Sequence, residues 1–151
     1  MDVEELIKHA HSLHVRGFNC AETVLWALSK YWGLETDISP ATGLGGGIAR
    51  SGATCGAVLG AILAAGRLIG RREPEDESRK VRCYTLGQRI MSGFMKQMGT
   101  TDCRDIIGFV LGSEGGRERY AQGGFKEGKC RMAIEEAIRT AIEACAGEIA
   151  G

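Results

Sequence analysis

Residues 18–33 read FNCAETVLWALSKYWG, and their pattern decides the fold class. Asn19 is a favoured N-cap residue and Glu22 stands three positions later, so each side chain is placed to satisfy the other's backbone N–H in a capping box. Val24, Leu25, Leu28 and Trp32 then recur at helical spacing, and Gly33 stops the run. The spacing predicts a helix from Asn19 onward. Cys20 falls in its first turn, where backbone N–H groups have no intrahelical partner.

The same grammar repeats outward from this segment. Upstream, Val3, Leu6, Ile7, Ala10 and Leu13 share a helical face closed by Gly17. Downstream, Ser39 and Pro40 open a short helical turn, and Gly43, Gly45, Gly46, Gly47 and Gly52 mark an open segment. Thr54 is placed to cap a third long helix with Cys55 in its first turn, and Val58, Leu59, Ile62, Leu63 and Leu68 run on to Gly70. After the Arg71–Glu77 connector comes a helix with Val81, Tyr84, Ile90, Met91, Phe94, Met95 and Met98, ended by Gly99. Asp102 reads as the next cap, with Cys103 in the first turn and Ile106 and Ile107 behind it. Gly112 to Gly128 is glycine-rich and charged, with Tyr120 and Phe125 as its only sizeable apolar residues, and it reads as a mobile flap over or beside a site. A last helix carries Ile134, Ile138, Ile142, Cys145 and Ile149 on one stripe, with Cys130 near its start. No segment alternates with period two, so the reading is all-α: a compact bundle of about five or six helices with a glycine-rich loop, in one domain over residues 1–151.

Charge removes several function classes. With 19 basic and 19 acidic residues, no chain-wide field draws the protein onto nucleic acid. The apolar stretch Ala53 to Gly66 is too short to span a bilayer and lies between Arg50 and Arg67, so it reads as a core helix and not a membrane anchor. Met1 to Leu6 carries acids and lacks the basic-then-apolar order of a secretory signal, which predicts a cytoplasmic protein. Six cysteines in such a compartment are expected to be thiols, ligands or redox groups rather than a disulfide framework.

Position divides the six. Cys20, Cys55, Cys103 and Cys130 each fall near a predicted helix N-terminus, where unpaired amides and the helix dipole favour a thiolate or an anionic ligand set. Cys83 and Cys145 fall inside helices and read as small core residues. Any single cysteine taken alone is a core candidate, because cysteine is among the most buried residues; four coincidences weaken that reading. No C-x-x-C occurs, so any ligands must converge through the tertiary fold. Thiolates suit zinc, cuprous copper or an iron–sulfur cluster, and all three remain open. Three weaker features stand beside these. His11 and His14 share a helix face but lack a third ligand, so solvated or edge histidines are the default. Gly43 to Ile48 follows no strand and precedes no G-K-[ST], so glycine for tight packing is favoured over a nucleotide-binding loop. Arg50 reads equally as a counter-charge to thiolates or as a surface arginine.

The runs Phe18-Asn19-Cys20-Ala21-Glu22, Gly45-Gly46-Gly47-Ile48-Ala49-Arg50 and Gly52-Ala53-Thr54-Cys55-Gly56-Ala57-Val58-Leu59-Gly60 resemble the redox-active C_GCAxxG_C_C family. The family's Gly-Cys-Ala is written here as Cys55-Gly56-Ala57. The resemblance covers most of the chain and implies that Cys20, Cys55, Cys103 and Cys130 are the family's cysteines, with Cys83 and Cys145 additional. A related cysteine-containing domain in split-Soret cytochromes implies an iron–sulfur centre. Without C-x-x-C-H, haem attachment does not carry over.

The expected function is electron transfer through an iron–sulfur cluster held by Cys20, Cys55, Cys103 and Cys130, with an unidentified redox partner protein. Two alternatives use the same residues: a thiol–disulfide oxidoreductase and a non-catalytic zinc- or copper-binding module. A homodimer is also expected, joined through the helix Ala53–Gly70 or the stripe Met91, Met95 and Met98.

Overall fold

Small residues set the centre of the molecule. The computed structural model describes residues 1–149; residues 150 and 151, which end the expected 1–151 domain span, lie outside the described residues. Within these, α1 spans Val3–Arg16, α2 Cys20–Tyr31, α3 Gly56–Ile69, α4 Glu77–Met98, α5 Cys103–Ile107, α6 Gly116–Gln122 and α7 Lys129–Ala144, with 3₁₀ turns at Ser39–Leu44 and Ala146–Glu148. No β-strand occurs among the described residues; Thr54 and Asp102 form one isolated antiparallel bridge. The chain is an all-helical bundle, as its periodicity predicts.

Helix α3 is the hub and packs against α2, α4 and α7. It can lie this close because its interior is Gly56, Ala57, Gly60, Ala61, Ala64 and Ala65. A Cβ at Gly60 would stand 2.5 Å from the Ala21 carbonyl oxygen, so α2 and α3 meet backbone to backbone there. Around this hub Leu6, Val24, Leu28, Val58, Ile90, Phe94, Ile134 and Ile138 are fully buried. Each such side chain contributes about 1.5–3 kcal/mol of burial. The small residues of α3 are core, and Leu63 and Arg67 are its exposed positions. On α4, by contrast, Met91 and Met95 are 39% and 46% exposed.

Helix starts follow the sequence with two exceptions. The Asn19–Glu22 capping box forms, with both hydrogen bonds present. Thr54, expected to cap α3, instead pairs with Asp102, and Cys55 itself takes the N-cap position. Asp102 stands at the N-cap of α5 but its side chain makes no capping bond. At the other end of the chain, α7 stops at Ala144. Cys145 caps its C-terminus rather than lying inside it, and Ile149 is exposed beyond the turn instead of continuing the buried stripe.

The glycine-rich stretch read as a flap has structure of its own. It folds into α6 and is pinned by aromatic contacts: Phe125 packs edge-on to Phe109 at 5.4 Å and stacks on Tyr120 at 5.7 Å. The Arg119 guanidinium sits 4.4 Å over the Phe109 ring. Its position beside the cysteine site agrees with the sequence, because Tyr120 and Lys126 both line the cavity described next.

Candidate redox site

Four helix starts point at one space. Cys20 is the first residue of α2, Cys55 the N-cap of α3, Cys103 the first residue of α5 and Cys130 the second of α7. All four line a single cavity of about 460 Å³, whereas Cys83 and Cys145 do not. Two backbone bonds fix half of the site: the Cys55 N–H donates to the Thr101 carbonyl at 2.7 Å, and the Cys103 N–H donates to the Ala53 carbonyl at 2.8 Å. These reciprocal bonds clamp the entry to α5 onto the entry to α3, holding residues far apart in sequence side by side. All six cysteines are free thiols.

The four thiols are not electrostatically alike. Cys130 is drawn down to about 7, chiefly because the Cys20 thiol donates toward it, with the Tyr120 hydroxyl and the Lys126 ammonium adding to the effect against the cost of burial. Cys20 moves the opposite way: donating to Cys130, and being buried, keeps it protonated. Burial pushes Cys55 up to about 12, outweighing the amides of Ala57 and Val58 that favour its thiolate, and pushes Cys103 up to about 11. The expectation that a helix start makes each of the four a thiolate therefore holds for Cys130 alone. Desolvation and the neighbouring sulfurs win at the others, and four thiolates here need a bound cation to balance them.

The floor of the cavity is an unusual piece of backbone. Gly46, Gly47, Ile48, Ala49 and Arg50 have successive φ values of 66°, 69°, 64°, 51° and 64°, a left-handed turn in which three residues are not glycine. That conformation costs an L-residue about 1–2 kcal/mol, so the surroundings must hold it. Gly47 is indispensable to it: a Cβ there would stand 2.6 Å from both the Cys103 Cβ and the Ala53 carbonyl oxygen. The turn bonds back through Ile48, Ala49, Arg50, Gly52 and Ala53, yet the amides of Gly45, Gly46 and Gly47 donate to no carbonyl among the described residues. All three glycines line the cavity.

Three lining residues were not legible as site residues. His14 is 3% exposed, with Nε2 3.9 Å from the Cys20 sulfur; burial, with Lys126 and His11, lowers it to about 4. It is thus neither a solvated nor an edge histidine. His11 is also buried, 3.9 Å from Glu135, with both ring nitrogens lacking hydrogen-bond partners among the described residues. Tyr120 and Lys126 come from the stretch read as a loop. Their one sequence signal was Tyr120's isolation as an aromatic residue among glycines. Among the described residues no three His, Cys, Asp or Glu side chains are grouped to hold a single metal ion. No described helix is long and apolar enough to cross a membrane.

The all-helical bundle gathers four thiols from four helix starts around one cavity, a cysteine-centred site. The chain belongs to the family described as putative redox-active protein (C_GCAxxG_C_C), whose model matches residues 18–144, a span that holds all four of these cysteines. No curated protein and no solved structure matches the chain.

Proposed function

We propose that the protein carries electrons through an iron–sulfur cluster held by Cys20, Cys55, Cys103 and Cys130. The observation that carries this reading is the convergence of four thiols on one cavity also lined by Gly45, Gly46 and Gly47, whose amides have no carbonyl partner among the described residues. Four cysteines are a sufficient shell for such a cluster, and backbone amides beside cluster sulfur adjust its potential. All four thiols line one cavity, and among the described residues no three of them are grouped to hold a single metal ion. A tetrahedral zinc, with sulfur ligands at about 2.3 Å, needs them crowded together, whereas a cluster spreads them around its own body. Bound there, the cluster would accept and release single electrons; the chain's part is to supply the thiolates, bury Cys55 and Cys130 and place basic groups nearby. Its electrons pass to and from a partner redox protein.

A second reading has its own observation, the unequal Cys20–Cys130 pair. The Cys130 thiolate would attack a partner disulfide and the Cys20 sulfur would resolve the mixed disulfide, leaving a Cys20–Cys130 disulfide and a reduced partner dithiol. Anaerobic purification followed by a visible spectrum and iron, sulfide, zinc and copper analysis separates the two. The cluster reading expects a brown protein with iron and acid-labile sulfide in near-equal amounts. A colourless metal-free protein with a reversible two-electron dithiol would replace it with the second reading, and stoichiometric zinc or copper would overturn both.

A further inference from the structure

Charge in the cavity is one-sided. The protein has 19 basic and 19 acidic residues, but apart from thiols, the Tyr120 phenol and His14, which burial keeps uncharged near neutral pH, the ionisable side chains lining this space are Arg50 and Lys126. No carboxylate among the described residues lines it. Lys126 comes from the α6–α7 connection, and Arg50 from the left-handed turn, which places an exposed guanidinium at the cavity in a conformation costing about 1–2 kcal/mol for a residue with a side chain. Gly45, Gly46 and Gly47 line the same cavity, their amides have no carbonyl partner among the described residues, and Gly47 is buried. A buried donor left dry costs about 1–3 kcal/mol, so this wall calls for an acceptor. The volume of about 460 Å³ falls in the range of small-molecule sites, about 300–1,000 Å³.

We propose that the cavity binds a small oxyanion from solution, held between Arg50 and Lys126 on the amides of Gly45, Gly46 and Gly47, beside the cysteines. This rests on the four-cysteine cavity being the working site, and it adds the class of ligand that site admits. If the basic groups served only to balance the cysteine centre, the filled site would take up no further anion.

Equilibrium dialysis of the anaerobically purified protein against labelled sulfate, at ionic strength fixed with chloride, tests the proposal. Unlabelled dimethyl sulfone serves as an uncharged competitor of the same shape. One sulfate per chain should bind saturably and the sulfone should not displace it. Arg50→Gln and Lys126→Gln should each weaken binding at least tenfold, Arg50→Lys should retain it within about threefold, and Lys129→Gln, outside the lining, should leave it unchanged. No saturable sulfate uptake by the native protein, or equal uptake by the native, Arg50→Gln and Lys126→Gln proteins, would overturn the proposal. Iron and sulfide are measured on the same samples: sulfate binding without iron would sink the cluster reading and leave the anion site standing, while iron and sulfide without sulfate binding would do the reverse.

Discussion

Cys130 and Cys145 lie at opposite ends of α7 and have opposite chemistry. At the N-terminal end the Cys130 sulfur meets the Cys20 thiol, the Tyr120 hydroxyl and the Lys126 charge, and is drawn down to about 7. At the C-terminal end Cys145 is wholly buried, and burial, followed by Glu148 and Cys83, pushes it up to about 11. Helix polarity runs the same way, favouring an anion at the first end and disfavouring it at the second. Yet Cys55 and Cys103, also at helix starts, are raised. The difference teaches that a helix start selects where a thiol site forms, while polar partners decide which thiol ionises.

The largest effect that tests this division is loss of the centre itself. Serine at Cys20, Cys55, Cys103 or Cys130 should cut retained iron and sulfide at least tenfold, whereas Cys83→Ala and Cys145→Ala should keep both and cost on the order of 1 kcal/mol in urea unfolding. An indispensable Cys83 together with a dispensable Cys103 would break the comparison.

Reactivity sharpens it next. The thiolate is the nucleophile, so in metal-free reduced protein Cys130 should alkylate increasingly as pH rises through about 7, while Cys145 stays more than about a hundredfold slower at neutral pH. Peptide mapping after a timed iodoacetamide pulse reads both sites at once. Equal labelling of the two would show that Cys20, Tyr120 and Lys126 do not activate Cys130.

Backbone offers a third contrast. Gly47→Ala sets a methyl group against Cys103 at a φ of 69° and should destabilise the fold by about 2–4 kcal/mol. Gly87→Ala, within α4 and with no atom within 4 Å of the added Cβ, should stabilise it by about 0.5–1 kcal/mol. Denaturant midpoints of the two variants check the pair.

Smallest is a pH effect from the buried edge of the cavity. His14 takes up its proton near 6.5 when unfolded but only near 4 when folded, because burial, then Lys126 and His11, opposes the charge. Between those values the unfolded state gains a proton that the native state refuses. Stability should therefore fall by about 2.5 kcal/mol as pH drops from 6.5 to 4 and level off below. His14→Gln should flatten that slope, which urea titrations at stepped pH would show.

Much of this was legible in the sequence because it depends on neighbours along the chain. The capping box of α2, the apolar stripes and the separation of four helix-start cysteines from Cys83 and Cys145 all follow from spacing over three or four residues. What escaped depends on contacts across the chain. Residues Ile48, Ala49 and Arg50 have no intrinsic tendency to turn left-handed, and their conformation is set by bonds such as Ala53 N–H to the Gly47 carbonyl. Thr54 looked like a cap because nothing local announces that Asp102 will claim it. His14 looked solvated because its burial comes from packing beside Cys20 and the basic segment around Lys126, and α6 is short and held by Phe125 and Phe109 rather than by its own propensity.

The central claim, that four thiols from four helix starts hold one iron–sulfur centre, is tested most directly by native mass spectrometry of the anaerobically purified chain. The account predicts a mass increment equal to iron plus inorganic sulfide, present in the native protein and absent from Cys103→Ser. A bare chain lighter by two hydrogens, carrying a Cys20–Cys130 disulfide and no iron, would contradict it.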